Sequence, residues 1–206
     1  MARRAATESK ETKKSERTRV RILDAAARMF RRKGYAATTL NEIARLADLR
    51  AASIYYHFGS KDEIFGQVLD IGIDRIHDEV RASVAAAPAE ADYRRKVHIA
   101  VEAHLATLLK HSDYTAANII NFGLAPDAIR RRHHRHREAY GDFWRKLLRD
   151  ARRHGAIARN TDISLLRLFL IGALNWSQEW YDADGKSIKR LANEICGFVF
   201  DGVEPD

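Results

Sequence analysis

The chain has 206 residues, enough for one medium domain or two small ones, and its 46% hydrophobic content with only three prolines fits a soluble protein built of long helices. Its net charge of +8 sits in residues 1–34, where twelve Lys/Arg face four Asp/Glu, so an anionic partner there competes with the plainer reading of a solvated basic tail. One cysteine excludes an internal disulfide, the N-terminus lacks a signal peptide's apolar core, and the longest apolar run, 165–176, is broken by Arg167 and Asn175; a cytoplasmic protein with no membrane partner is expected.

Residues 1–15 are polar and lack apolar periodicity, which predicts a disordered basic arm. A helix is expected from about 16, where Ile22, Ala26, Met29 and Phe30 recur at helical spacing, with Gly34 as its stop. Thr39-Leu40-Asn41-Glu42 reads as a capping box opening a short helix with Ile43, Ala44 and Ala47 on its apolar face. That helix breaks at Asp48, a residue that tolerates left-handed backbone. A third short helix follows over 51–58, and Ser60-Lys61-Asp62-Glu63 is a second capping box for a longer helix ending before Pro88. Five further helices are expected over 90–111, 114–122, 126–154, 162–181 and 187–202, and no strand-like alternation persists. The class is all-α, divided into the arm (1–15), a DNA-binding unit (16–61) and a ligand-binding and dimerisation unit (62–206).

Three helices, two of them short and joined by a tight turn behind a basic arm, describe a helix-turn-helix, in which one helix braces the DNA backbone and the next enters the major groove. Residues 51–61 concentrate phenol, hydroxyl, imidazole and ammonium donors on one short element, groups suited to phosphate. Over residues 17–68 the sequence resembles the TetR family of bacterial regulators: Ile22-Leu23-Asp24-Ala25-Ala26, Phe30, Gly34-Tyr35, Thr38-Thr39, Ile43-Ala44, and Ile54-Tyr55-Tyr56-His57-Phe58 followed by Lys61. The resemblance implies phosphate contacts from Thr39, Tyr55, His57 and Lys61. It also implies that Asn41, Arg50, Ala51, Ser53 and Tyr56 face base edges, and that Arg17 and Arg19 lie beside the backbone or a minor groove of double-stranded DNA. Arg50 is the strongest candidate for direct readout, because a guanidinium fork pairs with guanine O6 and N7. Ile54 and Phe58 are expected in the core, with Tyr55 half core and half phosphate ligand. Asp48 and Ala52 stand where family members usually or often carry glycine, a difference that bears on fine docking and base preference.

The same resemblance implies a two-fold dimer through the last two helices. Leu165, Leu166, Phe169, Leu170, Ala173 and Trp176 can supply one apolar face, and Leu191, Ile195, Phe198 and Val199 another; a purely intramolecular core is the alternative. For a small-molecule effector the candidate pocket residues are the aromatic groups Phe122, Tyr140, Trp144, Trp176 and Trp180, with Arg145 beside them. Residues 130–137 read Arg-Arg-Arg-His-His-Arg-His-Arg, and Arg145, Lys146, Arg149, Arg152 and Arg153 follow on the same helix. Such a helix repels itself unless an anion is near, so it is either a phosphate-binding surface or a solvated basic face. The phrase 172–176 with Trp180-Tyr181 and Asp184-Gly185 is similar to the acyl-CoA-responsive branch of the family, which implies a CoA thioester of fatty or steroid origin as effector, with the phosphates on arginines. Ligand binding would tilt the helix near 61–83 and change the spacing of the two recognition helices.

No metal is expected. Only His133 with His136, or His133 with a distant partner, could share an ion, and the sequence places neither a Cys pair nor carboxylates beside them. Cys196 reads as a small buried hydrophobe. No glycine-rich phosphate loop or nucleophile elbow supports an enzyme, and the closer rival is an architectural DNA-binding protein without an effector.

Overall fold

A computed structural model describes residues 2–202, with side chains from Thr12 onward apart from that of His111. Helix α1 (Ala2–Ala37) is broken at Gly34, whose φ of +77° is open to glycine and strained for other residues. Helices α2 (Leu40–Leu46) and α3 (Ala51–His57) follow, then the long α4 (Lys61–Ala85). Helix α5 (Tyr93–Ala106) runs into a π turn over Thr107–His111, and α6 (Asp113–Asn121) into a 3₁₀ turn over Phe122–Leu124. The chain closes with α7 (Asp127–Arg153), α8 (Ile163–Trp176) and its 3₁₀ extension Ser177–Glu179, and α9 (Ile188–Phe200). Among the described residues there is no strand, and no helix is long and apolar enough to cross a membrane.

The helix starts follow their capping chemistry. Thr39 closes a full capping box with Glu42, and Ser60, Asp92, Ser112, Asp162 and Ser187 each accept a bond from a backbone N–H two or three residues on. The second expected box is only half of one. Ser60 accepts from Glu63 N–H, but the Glu63 carboxylate reaches the Gly59 amide at 2.9 Å, one residue earlier than the motif requires. Where the sequence predicts a disordered arm, the backbone is helical from Ala2, and Met1 and the side chains of 2–11 lie outside the described residues. An Ala-, Glu-, Lys- and Arg-rich segment needs no apolar stripe to favour helix, because those residues lose little side-chain freedom there.

Two cores stack along α4. The first gathers Ile22, Ala26 and Phe30 of α1, Ile43 of α2, Ile54 and Phe58 at α3, and Ile64, Phe65 and Leu69 of α4, and takes in Tyr114 and Ala117 of α6. The second joins Ile73, Ile76 and Val80 of α4 to Val97, Val101 and Leu105 of α5, Trp144 and Leu148 of α7, Leu170 and Leu174 of α8, and Leu191 and Cys196 of α9. One rigid helix therefore belongs to both. At Gly72 the backbone of α6 comes so close that a Cβ would lie 2.4 Å from the Tyr114 carbonyl oxygen, so only glycine allows this α4–α6 contact.

Candidate nucleic-acid interface and ligand cavity

The turn from α2 to α3 is made by Asp48 at φ +52°, the only non-glycine residue with positive φ among those described. Arg21 of α1 braces it, donating to the Ala47 and Asp48 carbonyls at 2.5 and 3.2 Å with its guanidinium 3.6 Å from the Asp48 carboxylate. Asn41, Arg45, Asp48, Arg50 and Ala51 line an open cleft beside this turn. Ile54 and Phe58 anchor α3 in the core while its outer face stays free: Tyr55 is 62% and Tyr56 82% exposed, and Ala52 and Arg50 are exposed too. Tyr55 is thus a surface residue, not the half-core residue expected. Ala51, Ser53 and His57 are half-buried, and Arg17 of α1, Thr39 at the N-cap of α2 and Asn41 in its first turn are exposed.

Two residues assigned to DNA are engaged inside the protein. The Arg19 guanidinium donates to the His57 carbonyl at 2.7 Å, lies 4.2 Å over the Phe58 ring and 3.7 Å from Glu63. Lys61 donates to the carbonyls of Tyr35 and Thr38 at 3.0 and 2.9 Å and sits 4.3 Å over the Tyr35 ring. Both cations bond carbonyls at helix ends, Arg19 tying the end of α3 to α1 and Lys61 tying the start of α4 to the end of α1, a use that short-range sequence patterns do not reveal. Thr39 spends its hydroxyl on the capping box, where Lys33 and Thr39 together bring the Glu42 carboxyl down to about 2.

Between the second core and α8 lies a cavity of about 250 Å³. Its walls come from five helices: Gly72, Ile73 and Ile76 (α4), His104 (α5), Thr115 and Asn118 (α6), Arg137, Tyr140 and Gly141 (α7), and Arg167, Ile171 and Asn175 among others on α8. Asn175 Oδ1 accepts from His104 Nε2 at 3.2 Å, which leaves Nδ1 to accept from the Tyr140 hydroxyl at 2.8 Å. Burial brings His104 down to about 4 and raises the Tyr140 phenol, so both are neutral. A second network lies beside the cavity. His133, buried, donates to Asp70 of α4 at 2.6 Å and accepts from Asn118 of α6 at 2.9 Å, while Asn118 also donates to the Leu69 carbonyl at 2.7 Å. Burial alone would raise the Asp70 carboxyl, but the hydrogen bond from His133 and the nearby charge of Arg132 hold it below its ordinary value.

Of the expected pocket residues, only Tyr140 lines this cavity. Trp144 is fully buried in the second core, and Phe122 lies under the Arg137 guanidinium, 4.0 Å away, at the edge of the first. Arg145 pairs with Asp142 on the surface, while Trp176 and Trp180 are 66% and 54% exposed. The sequence reading missed His104, Arg137, Arg167 and Asn175. It held one signal for two of them, since Arg167 and Asn175 interrupt an otherwise apolar helix. The basic helix is also less free than it looks: Arg130 pairs with Asp127, Arg132 with Asp70, Arg145 with Asp142 and Arg153 with Asp150. Carboxylates do approach the histidines, contrary to expectation, because α4 delivers Asp70 to His133 and Asp74 to His136. No group of three or more potential metal ligands occurs among the described residues.

Along the outer side of α8 and α9, Leu165, Leu168, Phe169, Trp176 and Phe198 are all exposed. Leu191, expected there, is buried in the second core, Ile195 packs partly against it, and Ala173 is half-buried. The burial pattern on α9 thus turns its Leu191–Ile195 side inward and leaves Phe198 out. Trp176 shares the outer stripe with Leu165 and Phe169, at helical spacing, and belongs with them instead of with a pocket. Cys196 is buried, and burial pushes its thiol up to about 12.

Comparison with known proteins agrees with this geometry. The profile described as bacterial regulatory proteins, tetR family, matches residues 22–68, and that described as tetracyclin repressor-like, C-terminal domain, matches residues 90–203. Among curated proteins, the HTH-type transcriptional regulator TtgR of Pseudomonas putida is 40% identical over 84 residues, 40% of this chain and 37% of that protein. The negative transcriptional regulator IcaR of Staphylococcus aureus (strain Newman) is 40% identical over 58 residues, 28% of this chain and 31% of that protein. The matched stretch thus spans about a third of each relative. The structure of AibR in complex with isovaleryl coenzyme A and operator DNA superposes with a TM-score of 0.80 at 20% identity, covering 89% of this chain and 98% of that one, a likeness of fold. With a core and recognition helix built as described and family profiles over most of its length, this chain is a transcriptional regulator of the TetR family, not an enzyme.

Proposed function

We propose that the protein is a cytoplasmic homodimeric repressor that binds a palindromic operator and is released when a short acyl effector, supplied as a CoA thioester, enters the cavity between α4 and α8. The observation that carries this reading is the dual membership of α4. Its first half packs under α1 and α3, and its second half, through Gly72, Ile73 and Ile76, forms one wall of the cavity. A ligand pressing on that wall acts on the same rigid element that seats the recognition helix. The His133–Asp70 and Asn118–Leu69 bonds tie α6 and α7 to its midpoint. Ligand and operator then favour different tilts of α4 and deplete one another's complex, with a typical coupling of ~1–3 kcal/mol.

The dimer rests on the exposed stripe of α8 and α9, an apolar patch of the kind that marks a protein interface. Two recognition helices are then held about one DNA turn apart, as a palindrome requires. IcaR, named a negative regulator, supports the repressor sign, and AibR, crystallised with isovaleryl coenzyme A and operator DNA, supports the thioester. The cavity volume lies below the roughly 300–1,000 Å³ of sites for drug-sized ligands, which favours a short acyl portion over a steroid. The ion pairs along α7 leave Arg131, Arg135, Lys146 and Arg149, all exposed, as groups available to CoA phosphates outside. Titration of labelled DNA from the protein's own upstream region, with stoichiometry from light scattering, tests the operator and dimer. Two chains per palindrome and a much weaker complex with scrambled DNA are expected; one chain per site, or equal affinity for both sequences, contradicts the reading.

A further inference from the structure

The charge on the cavity wall narrows the chemistry of what can enter it. Arg137 of α7 and Arg167 of α8 both line the cavity, and no aspartate or glutamate does. Guanidinium groups keep their charge in proteins, and His104 is neutral, so the wall carries two positive charges and no negative one. The acids beside the rest of α7 are already taken: Asp70 of α4 by Arg132 and His133, Asp74 of α4 by His136, and on α7 itself Asp142 by Arg145 and Asp150 by Arg153. Among the described residues neither Arg137 nor Arg167 has an ion pair.

Their remaining contacts are thin. Arg137 lies 4.0 Å over the Phe122 ring and makes one long hydrogen bond, 3.4 Å, to Asn118 Oδ1. Burial lowers its pKa, the direction expected of a desolvated cation without a counter-charge. The Arg167 Nε is buried with no hydrogen-bond partner. Gly141 gives it room: a Cβ there would stand 3.2 Å from Arg167 Nη1, closer than ordinary contact. The other polar groups are satisfied, since His104, Tyr140 and Asn175 bond to one another. A buried cation left unpaired is unfavourable, whereas a carboxylate meets a guanidinium through two short, charge-assisted bonds.

We infer that the ligand entering this cavity bears a carboxylate on a short apolar body, the carboxylate held by Arg137 and Arg167 and the body by Ile73, Ile76 and Ile171. The inference rests on the reading that this cavity is the effector site. The volume leaves no room inside for the nucleotide half of coenzyme A, so the group inside that meets these two arginines belongs to the short body of the ligand. The carboxylate can come from a free short-chain acid or from the far end of an ω-carboxyacyl thioester.

Calorimetric titration of the full-length protein tests this with matched pairs: short straight and branched alkanoic acids against their primary amides, and ω-carboxyacyl-CoA against plain acyl-CoA of equal length. We expect the charged member of a pair to bind at least about tenfold more tightly. Arg137→Gln and Arg167→Gln should each weaken it by roughly ten- to a hundredfold, with Arg167→Lys recovering part of the loss. Circular dichroism of each variant checks folding, and the acid–amide comparison on the unaltered protein needs no variant. Preference for the thioester pair or the free-acid pair identifies the source. Equal binding of acid and amide, or no binding by any carboxylate in either series, overturns the inference. Carboxylates that bind without releasing operator DNA support it and contradict the regulatory reading. Release by neutral ligands alone does the reverse.

Discussion

Arg50 and His104 show how differently single residues serve the two ends of this molecule. Arg50 is exposed at the N-cap of α3 and, among the described residues, no side-chain partner holds it, which suits the base-reading role proposed for it. Arg50→Ala should weaken binding to the operator by roughly ten- to a hundredfold while changing random-sequence binding far less, measured by anisotropy at one fixed salt concentration. Equal losses on both DNAs would make Arg50 a phosphate contact. His104 is the opposite case, a neutral group sealed in the interior. Its folded value of about 4 lies below the ordinary 6.5, so between those values the unfolded chain binds the extra proton. Stability should fall as pH drops through this window, by on the order of 3 kcal/mol when fully expressed. Denaturant midpoints at pH 7 and 4.5 should therefore differ more for the natural protein than for His104→Gln; coincident pH slopes would contradict the assignment. The carboxyls of Glu42 and Asp70, both held low, lose their contribution at still lower pH and add to acid unfolding there.

At the scale of elements, legibility followed locality. The helix starts could be read because a capping box is four consecutive residues, and Ile54 and Phe58 could be placed inside because their spacing matches one helical face. Asp48 could be placed at the α2–α3 turn because its tolerance of positive φ is a property of the residue itself. Arg19 and Lys61 could not be read: each is long enough to reach a carbonyl on another element, and sequence spacing does not say which. The cavity was hidden for the same reason, since its polar groups come from α5, α6, α7 and α8 and meet only after packing. Trp176 looked like a pocket residue because composition cannot tell which side of α8 faces inward. The basic side chains of α7 looked unopposed because their partners include Asp70, which meets Arg132 and His133, and Asp74, which meets His136, some sixty residues away on α4. Gly72 is the most exacting element contact. Gly72→Ala should force α6 away from α4 and lower stability by about 1–3 kcal/mol or more in chemical unfolding, whereas Gly172→Ala, where a Cβ would meet nothing, should change it by well under that. A cost no greater at 72 than at 172 would show that the α4–α6 approach is looser than described.

For the whole molecule the proposed regulation depends on two surfaces and one lever. The outer face of α3 is the surface proposed to meet DNA. The outer stripe of α8 and α9 is the surface proposed to join two chains, and Phe169, 68% exposed, lies within it. Phe169→Glu should give a folded monomer by light scattering with operator affinity reduced by well over tenfold, because one recognition helix alone reads half a palindrome. A dimer that survives this change would place the interface elsewhere. The lever is α4, which joins the recognition unit's core to the cavity wall. Its role is tested most directly by fluorescence anisotropy on the protein's own upstream DNA, titrated in parallel with short acyl-CoA thioesters and the matching free acids at fixed salt. At least one series should raise the operator Kd by roughly 5- to 150-fold. An operator complex of unchanged affinity across both series, at concentrations where calorimetry shows the cavity filled, would contradict the lever and leave a DNA-binding protein whose cavity is uncoupled from its operator.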